Sequence, residues 1–237
     1  MAAYRHQPEA TVSARTVFIP SGTSVICADL TIPEGARGLV IVAHGSGSNR
    51  TSRRNRWVAS ELNWGRLATL LVDLLTIEEA ALDQDTGEFR FDVQFLSRRL
   101  IDAIDWVSRE PEIRHLPVGL FGASTGAAAA LFAAARRPHR VKAVVSRGGR
   151  VDLAASVVSL VDAPTLLIVG EDDPDILAMN QLSLSTLGGE RRLDIVPGAS
   201  HLFEEPGALD VVAAAARTWF THHLDRELAT TFPSFPW

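Results

Sequence analysis

The hydrophobic positions of this chain fall into short apolar runs that alternate with longer segments of helical periodicity. The first two runs flank a Pro-Ser-Gly turn, which predicts a β-hairpin. Most later runs are apolar along their whole length, as in strands whose two faces are both buried. The eight predicted strands are TVFIP, SVICADLTI, GLVIVAH, LATLLVD, VGLFG, VKAVVS, PTLLIVG and RLDIVP.

Helices are predicted between these strands. The segment VQFLSRRLIDAIDWVSRE places Leu96, Leu100 and Ile104 on one face at helical spacing. The polar segment EEAALDQDTGEFRFD before it (78–92) is predicted to be a loop. Strands that alternate with helices predict an α/β protein with a parallel sheet covered on both faces. The other predicted helices are RWVASELNW, GAAAALFAAARR, a short helix near DLAASVVSL, DILAMNQLSLSTL and ALDVVAAAARTWFTHHL.

Length and charge narrow the class of protein. The 237 residues suit one α/β domain, 1–237, with a peripheral leader (1–14) and a peripheral tail (229–237). A net charge of −5 argues against a nucleic-acid-binding protein, which is usually basic. The spacing of His, Cys and acidic residues shows no metal-ligand motif, so we expect no bound metal.

Cysteine content and apolar run length bear on the compartment. Cys27 is the only cysteine and lies in a predicted strand, where core packing is its ordinary role. The N-terminal residues contain no apolar signal segment, and the longest apolar run ends at Arg136 and Arg137, short of a membrane span. We therefore expect a cytoplasmic protein, a monomer or homodimer, that binds neither membrane nor nucleic acid.

The first candidate for chemistry is a lone serine between two glycines. In VGLFGASTGAAAAL, Ser124 lies between a predicted strand and an alanine-rich helix, with Gly122 and Gly126 on either side. A strand-to-helix turn this sharp strains its central residue and leaves almost no room for side chains beside it. This is the Gly-x-Ser-x-Gly nucleophile elbow, and we predict that Ser124 is a nucleophile.

A serine nucleophile needs a base, and the base needs a carboxylate to orient it. His201 follows the last predicted strand among small residues, where its imidazole can reach Ser124, so we predict that it is the base. Four acids crowd the loop after PTLLIVG. We prefer Asp173, which precedes the Pro174 that begins the next helix, and Asp172 is the alternative.

Hydrolysis of an ester builds negative charge on the carbonyl oxygen, and two backbone N–H groups usually stabilise it. Thr125 follows the nucleophile and opens the helix, so its amide is the first predicted donor. The Gly/Ser loop in GLVIVAHGSGSNR provides the second, for which we choose Ser46. We expect His44 to brace this loop.

Four segments in this order, VIVAHGSGS, GLFGASTGAAAAL, LLIVGEDDPDI and PGASHLFEEPG, resemble the α/β-hydrolase superfamily, and most closely its dienelactone hydrolase-like branch. The resemblance implies an eight-stranded, mostly parallel sheet with strand 2 antiparallel, a triad of Ser124, Asp173 and His201, and no metal or organic cofactor. True dienelactone hydrolases carry a cysteine where this chain has Ser124, so the namesake's lactone-specific activity is not carried over.

The substrate is predicted from the loops at the carboxyl ends of the strands. Only a short segment separates VKAVVS from PTLLIVG, so the lid is minimal, which suits small soluble esters or lactones. Arginines are dense in two of these loops, and we expect one or two of them to bind an anionic substrate, with Arg147 and Arg150 as our choice. The six are Arg50, Arg53, Arg54 and Arg56 after the third predicted strand, and Arg147 and Arg150 after the sixth. We therefore expect a serine esterase or lactonase. The alternatives are an acyltransferase that uses the same triad and a catalytically silent binding module on the same fold.

Overall fold

The computed structural model describes residues 12–225. At the centre of this part of the chain lies a twisted sheet of eight strands in the order β1-β2-β4-β3-β5-β6-β7-β8. The strands are β1 (Val12–Ser21), β2 (Ser24–Pro33), β3 (Gly38–Ala43), β4 (Leu67–Val72), β5 (Val118–Ala123), β6 (Val141–Arg147), β7 (Thr165–Gly170) and β8 (Arg191–Val196).

Strand direction decides where the site can lie. β2 runs antiparallel to both of its neighbours, β1 and β4, whereas β4, β3, β5, β6, β7 and β8 are parallel. The predicted α/β class and the mostly parallel eight-stranded sheet are thereby confirmed. Because the parallel strands all end at the same edge, the loops that follow them meet there.

Helices cover both faces of the sheet. One core cluster packs α3 and α4 against the sheet, and a second packs α1 and α6 against the opposite face. Ten consecutive residues of α4, most of them alanines, are buried, and these small side chains bring the helix close to the strands. The helices are α1 (Arg53–Trp64), α2 (Ile77–Thr86), α3 (Val93–Val107), α4 (Thr125–Arg136), α5 (Pro174–Leu184) and α6 (Ala208–Leu224).

Two predicted elements differ from the structure. The segment 78–92, predicted as a loop, begins inside α2, whose N-cap Thr76 forms a capping box with Glu79 and whose C-cap is the left-handed Gly87. The prediction was wrong for 78–86, because the helix lacks a clear apolar stripe, although a Thr-x-x-Glu start and a Gly end are visible in the sequence. Residues 87–92 form a loop, as predicted. The short helix predicted near 152–160 is instead a pair of 3₁₀ turns.

The chain ends are only partly described. Of the predicted leader 1–14, residues 12–14 belong to β1 and pair with β2. The rest of the leader and the whole of the tail 229–237 lie outside the described residues, so the predictions made for them stay predictions. Within the described residues no helix is long and apolar enough to cross a membrane.

Glycines close the turn between β5 and α4. A Cβ on Gly122 would lie 2.4 Å from the Cα of Ala127, and a Cβ on Gly126 would lie 2.4 Å from the carbonyl oxygen of His44. Both obstacles are backbone atoms, which cannot move aside as a flexible side chain can. The turn around Ser124 therefore tolerates no side chain at either glycine.

Replacement of Gly122 by alanine is expected to lower the free energy of unfolding by about 3 kcal/mol or more, because the added Cβ separates β5 from α4. Gly47→Ala is the matched control. Gly47 has a φ of 67°, and a Cβ added there would have no atom within 4 Å. The control substitution is therefore expected to lower the free energy of unfolding only through the strain of a left-handed alanine, by about 1 kcal/mol. Urea unfolding of both variants measures the difference, and equal losses would contradict this account.

Candidate active site

Ser124 adopts a backbone conformation that few side-chain-bearing residues can adopt. Its φ is 51° and its ψ is −119°, at the junction of β5 and α4. Its amide donates to the carbonyl oxygen of Arg147 at 3.1 Å, and its own carbonyl accepts the amide of Ala127 at 3.1 Å. These bonds hold the strained residue between strand and helix and leave its hydroxyl at the carboxyl edge of the sheet.

The structure brings His201 and Asp173 to this serine. His201 lies in the loop after β8, with its Nε2 3.4 Å from the Ser124 hydroxyl oxygen and its Nδ1 2.6 Å from Oδ2 of Asp173. Asp173 is the N-cap of α5 but makes no capping hydrogen bond with its side chain, so its carboxylate is available to the imidazole. The three side chains form a continuous Asp–His–Ser chain of contacts.

The neighbouring acids do not reach the imidazole. Asp172 is exposed on the same loop, and its amide donates to the carbonyl oxygen of Ala199 at 2.9 Å. The Glu171 carboxylate accepts the amide of Gly198 at 3.0 Å, which ties this loop to the loop that carries His201. Of the acids in the GEDDPD segment, the structure therefore places Asp173 on His201.

The two residues predicted to supply the amide donors, Ser46 and Thr125, are in contact through their side chains. Thr125 is the first residue of α4, and the first amides of a helix have no acceptor within the helix. The hydroxyl oxygens of Ser46 and Thr125 are 3.1 Å apart, so the loop after β3 lies against the start of α4. Ser46 also donates its hydroxyl to the carbonyl oxygen of Arg90 at 3.3 Å. The same loop also approaches the nucleophile turn, because a Cβ on Gly45 would lie 3.0 Å from the Cβ of Ser124.

His44 braces the loop after β3, as expected from its position. Its Nε2 accepts the amide N–H of Leu74 at 3.0 Å. An amide can only donate, so Nδ1 carries the imidazole proton and donates it to the carbonyl oxygen of Gly45 at 2.9 Å. Burial lowers the pKa of His44, which favours this neutral form. Protonation would remove the acceptor that holds Leu74.

The pH dependence of stability tests this role of His44. Because the pKa is lower in the folded state than the ordinary 6.5, the unfolded state binds the proton first as the pH falls. The neutral imidazole therefore contributes to the free energy of unfolding at pH values above 6.5, and this contribution is lost as the pH falls below 6.5. We expect the free energy of unfolding to fall more between pH 8 and pH 5.5 in the parent protein than in His44→Gln, measured by urea unfolding. Equal falls would contradict the assignment.

A second set of contacts ties the same loop to β4. The backbone amide of Arg50 donates to Oδ1 of Asp73 at 2.7 Å, and its guanidinium donates to Oδ2 of Asp73 at 2.7 Å. The guanidinium also donates to Asp29 at 3.1 Å. This tether was not predicted from the sequence, because its partners are far apart along the chain. It holds the loop that carries Ser46 in place from the side of β2 and β4.

A small cavity of about 120 Å³ lies beside the candidate amide donors. Ser46 and Thr125 line one side, and α2 lines another with Ala80, Asp83 and Gln84. Within the described residues, Phe89 and Phe91 do not line it: Phe91 is exposed, and Phe89 packs against Phe95. The cavity has room for a group of only a few non-hydrogen atoms.

The two arginines proposed to bind substrate differ in their surroundings. Arg150 forms a two-point ion pair with Asp152, at 2.9 and 2.7 Å, so its charge is already matched. Arg147 is buried at the end of β6, and the structure gives it no acid partner among residues 12–225. Within this range there is also no cluster of His, Cys, Asp and Glu that could hold a metal ion.

The sheet, the turn around Ser124 and the loops at its carboxyl edge define an α/β-hydrolase fold. The family model for the dienelactone hydrolase family matches residues 70–225. A crystal structure of a dienelactone hydrolase from Anabaena variabilis shares 54% sequence identity, covers 90% of this chain and 99% of its own, and superposes with a TM-score of 0.88. This chain belongs to the dienelactone hydrolase family.

Two further comparisons show which other proteins share this fold or sequence. Two Mycobacterium tuberculosis proteins, described as candidate phosphoribosyl transferases, are 50% identical over 208 residues. This match covers 88% of the chain but only 46% of the length of those relatives. Est1E from Butyrivibrio proteoclasticus shares 15% identity at a TM-score of 0.74, covers 88% of this chain and 98% of its own, and thus shares the fold. Membership of the family supports a hydrolase.

Proposed function

We propose that this chain is a serine hydrolase that cleaves small carboxylic esters or lactones through an acyl-enzyme on Ser124. The observation that carries the proposal is the position of His201, whose two ring nitrogens contact Asp173 at 2.6 Å and Ser124 at 3.4 Å. The longer distance is typical of an unliganded site, in which hydrogen bonds between catalytic groups tighten once substrate is bound.

The proposed acylation follows from this geometry. His201 Nε2 takes the hydroxyl proton of Ser124 while the serine oxygen bonds to the carbonyl carbon of the ester. Asp173 accepts the Nδ1 proton of His201 in a hydrogen bond, which fixes the tautomer and stabilises the imidazolium. The amides of Ser46 and Thr125 donate to the developing oxyanion. The imidazolium then protonates the alcohol as the carbon–oxygen bond breaks.

Deacylation repeats these steps with water as the nucleophile. His201 takes a proton from water, the hydroxide oxygen bonds to the acyl carbon, and Ser124 recovers its proton as the acid leaves. With a second alcohol in place of water, the same residues would perform acyl transfer. Product analysis in the presence of an added alcohol distinguishes the two outcomes.

The cavity lined by Ser46 and Thr125, which adjoins Ser124 in the chain, supports small substrates. Its volume of about 120 Å³ is far below the range typical of drug-sized ligand pockets. The segment between β6 and β7 contributes only two short 3₁₀ turns at Val151–Ala154 and Val158–Leu160, so little chain covers the site. A short acyl or alcohol group therefore fits better than a long chain.

Covalent labelling and a series of esters test the proposal together. We expect a fluorophosphonate probe to modify Ser124, as located by mass spectrometry, and His201→Ala to abolish the modification. Among p-nitrophenyl esters, kcat/KM is expected to be highest for acetyl to butyryl esters and more than tenfold lower for octanoyl. No labelling of the folded protein would overturn the serine hydrolase, whereas labelling with a preference for octanoyl would overturn only the small substrate.

Phosphoribosyl transfer, for which the Mycobacterium tuberculosis relatives are named, is not proposed for this chain. The match covers less than half of those relatives, at 46% of their length. The activity in their description therefore need not reside in the matched half. The contacts among Ser124, His201 and Asp173 favour acyl chemistry instead.

A further inference from the structure

Arg147 lies next to the candidate site, where its backbone neighbours two of the proposed catalytic residues. It is the last residue of β6, and its carbonyl oxygen accepts the amide of Ser124 at 3.1 Å. The next residue, Gly148, lies against His201: a Cβ on this glycine would be 3.4 Å from the imidazole. The Arg147 side chain therefore begins between the proposed nucleophile and the proposed base.

The guanidinium of Arg147 is a buried positive charge with no acid partner among residues 12–225. The residue is 7% exposed, and its Nε and Nη1 are buried with no hydrogen-bond partner. Burial, together with the nearby charge of Arg54, lowers the pKa of Arg147 to about 10, so the group is still protonated at neutral pH. Buried charges in proteins are normally paired, and this one has a second cation as its neighbour.

Arg54 is only partly paired among residues 12–225. It lies in the first turn of α1, and its Nε is buried with no hydrogen-bond partner. Its Nη1 donates to Glu204 at 2.6 Å. The Glu204 side chain is 62% exposed, and surface ion pairs of this kind contribute little to stability. A stronger anion can therefore replace Glu204 on Arg54 at small cost.

Two other arginines at this edge of the sheet are matched by acids. Arg50 donates to Asp73 through its backbone and its guanidinium, and Arg150 forms two bonds to Asp152. Pairing is thus the ordinary arrangement near the site, and Arg147 departs from it. Since an unmatched buried charge destabilises a fold, its presence beside the reacting groups indicates a role in binding.

We propose that Arg147 and Arg54 bind a phosphate group carried by the substrate. The substrate class is then a small ester or lactone that also bears a phosphate monoester. Two guanidiniums match the charge of almost −2 and the three terminal oxygens of such a group, whereas a carboxylate has one charge and two oxygens. The phosphate takes the place of Glu204 on Arg54. This inference rests on the proposed hydrolysis at Ser124.

Calorimetric titration tests binding separately from catalysis. Inorganic phosphate is titrated into the Ser124→Ala protein at low ionic strength, with acetate as the monoanionic comparison. We expect saturable 1:1 binding of phosphate and at least tenfold weaker binding of acetate. Absence of saturable phosphate binding would overturn the subsite, and equal affinity for acetate would overturn its selectivity for a dianion.

Substitutions then locate the bound anion. Arg147→Gln and Arg54→Gln, each in the Ser124→Ala protein, are expected to weaken phosphate binding at least tenfold. Arg147→Lys keeps the charge but not the two-point geometry, and we expect an intermediate loss. Arg56→Gln is the matched control, because this residue lies on the same helix as Arg54 and its side chain is 56% exposed. Phosphate affinity that falls equally in Arg56→Gln would contradict the assignment.

Measurements of ester cleavage distinguish a failure of the phosphate subsite from a failure of the proposed hydrolysis. In proteins with Ser124 intact, Arg147→Gln is expected to lower the ratio of kcat/KM for a phosphorylated ester to that for its neutral parent ester at least tenfold. Fluorophosphonate labelling of the same variant shows that it folds. Labelling and ester cleavage without phosphate binding would overturn the subsite alone. Phosphate binding without labelling would overturn the hydrolase and leave an anion site.

Discussion

Replacement of Ser124 by alanine is expected to lower kcat for a p-nitrophenyl ester by about 10⁴-fold or more, because no other group can form the acyl bond. Stability should change little. Serine and alanine both carry a Cβ at the same φ of 51°, so the backbone strain is the same in both proteins. Steady-state kinetics and urea unfolding of the two proteins check both expectations.

Ser124→Cys is the control for this substitution. It keeps a nucleophilic atom at the same position in the turn, and cysteine is the nucleophile of true dienelactone hydrolases. We expect the cysteine variant to form an acyl-enzyme that mass spectrometry can detect, with activity between those of the serine and alanine proteins. If the alanine variant kept a tenth of the parent activity or more, hydrolysis would not proceed through Ser124.

Asp173→Asn is expected to lower kcat/KM by roughly 10³- to 10⁴-fold without unfolding the protein. The amide has the shape of the carboxylate, but its NH₂ group cannot accept the Nδ1 proton of His201. The imidazole then adopts the other tautomer, with its proton on the nitrogen that should receive the one from Ser124. The 2.6 Å contact between Nδ1 and Oδ2 is the basis of this expectation.

Asp172→Asn is the matched control, because the two acids are adjacent and only Asp173 contacts the imidazole. Asp172 is exposed, so its substitution should change kcat/KM by no more than about threefold, as for a distant surface charge. The two variants thus show whether Asp173 or Asp172 orients the imidazole of His201, a choice that the sequence alone left open. A large loss in Asp172→Asn with little loss in Asp173→Asn would reverse the assignment.

Much of the fold was predictable because local patterns determine it. Apolar runs identified the strands, and the alternation of strands with helices indicated the parallel sheet. Ser124 was recognisable from the glycines at 122 and 126. The fold requires glycine at both positions, because a Cβ there would lie 2.4 Å from a backbone atom. Because the loops follow parallel strands, it was also predictable that His201 and the acid loop would lie at the edge that carries Ser124.

The features that were missed depend on contacts between distant segments. The tether between Arg50 and Asp73 joins residues 23 positions apart, and nothing in either local pattern indicates it. The burial of Arg147 is a further example, since a loop arginine at a strand end is ordinarily solvated. Helix α2 was missed for a different reason: its capping residues were visible, but its weak apolar pattern outweighed them.

β8 is an edge strand, and its position is expected to determine how the protein loses activity. Within residues 12–225, β8 pairs only with β7, and of its six residues only Val196 is buried. The loop that carries His201 follows directly, so the base is attached to a strand with little protection from solvent. Local opening at this edge would separate the imidazole from Ser124 while the rest of the sheet stayed intact. Inactivation should therefore precede global unfolding, with a midpoint that follows amide hydrogen exchange in β8.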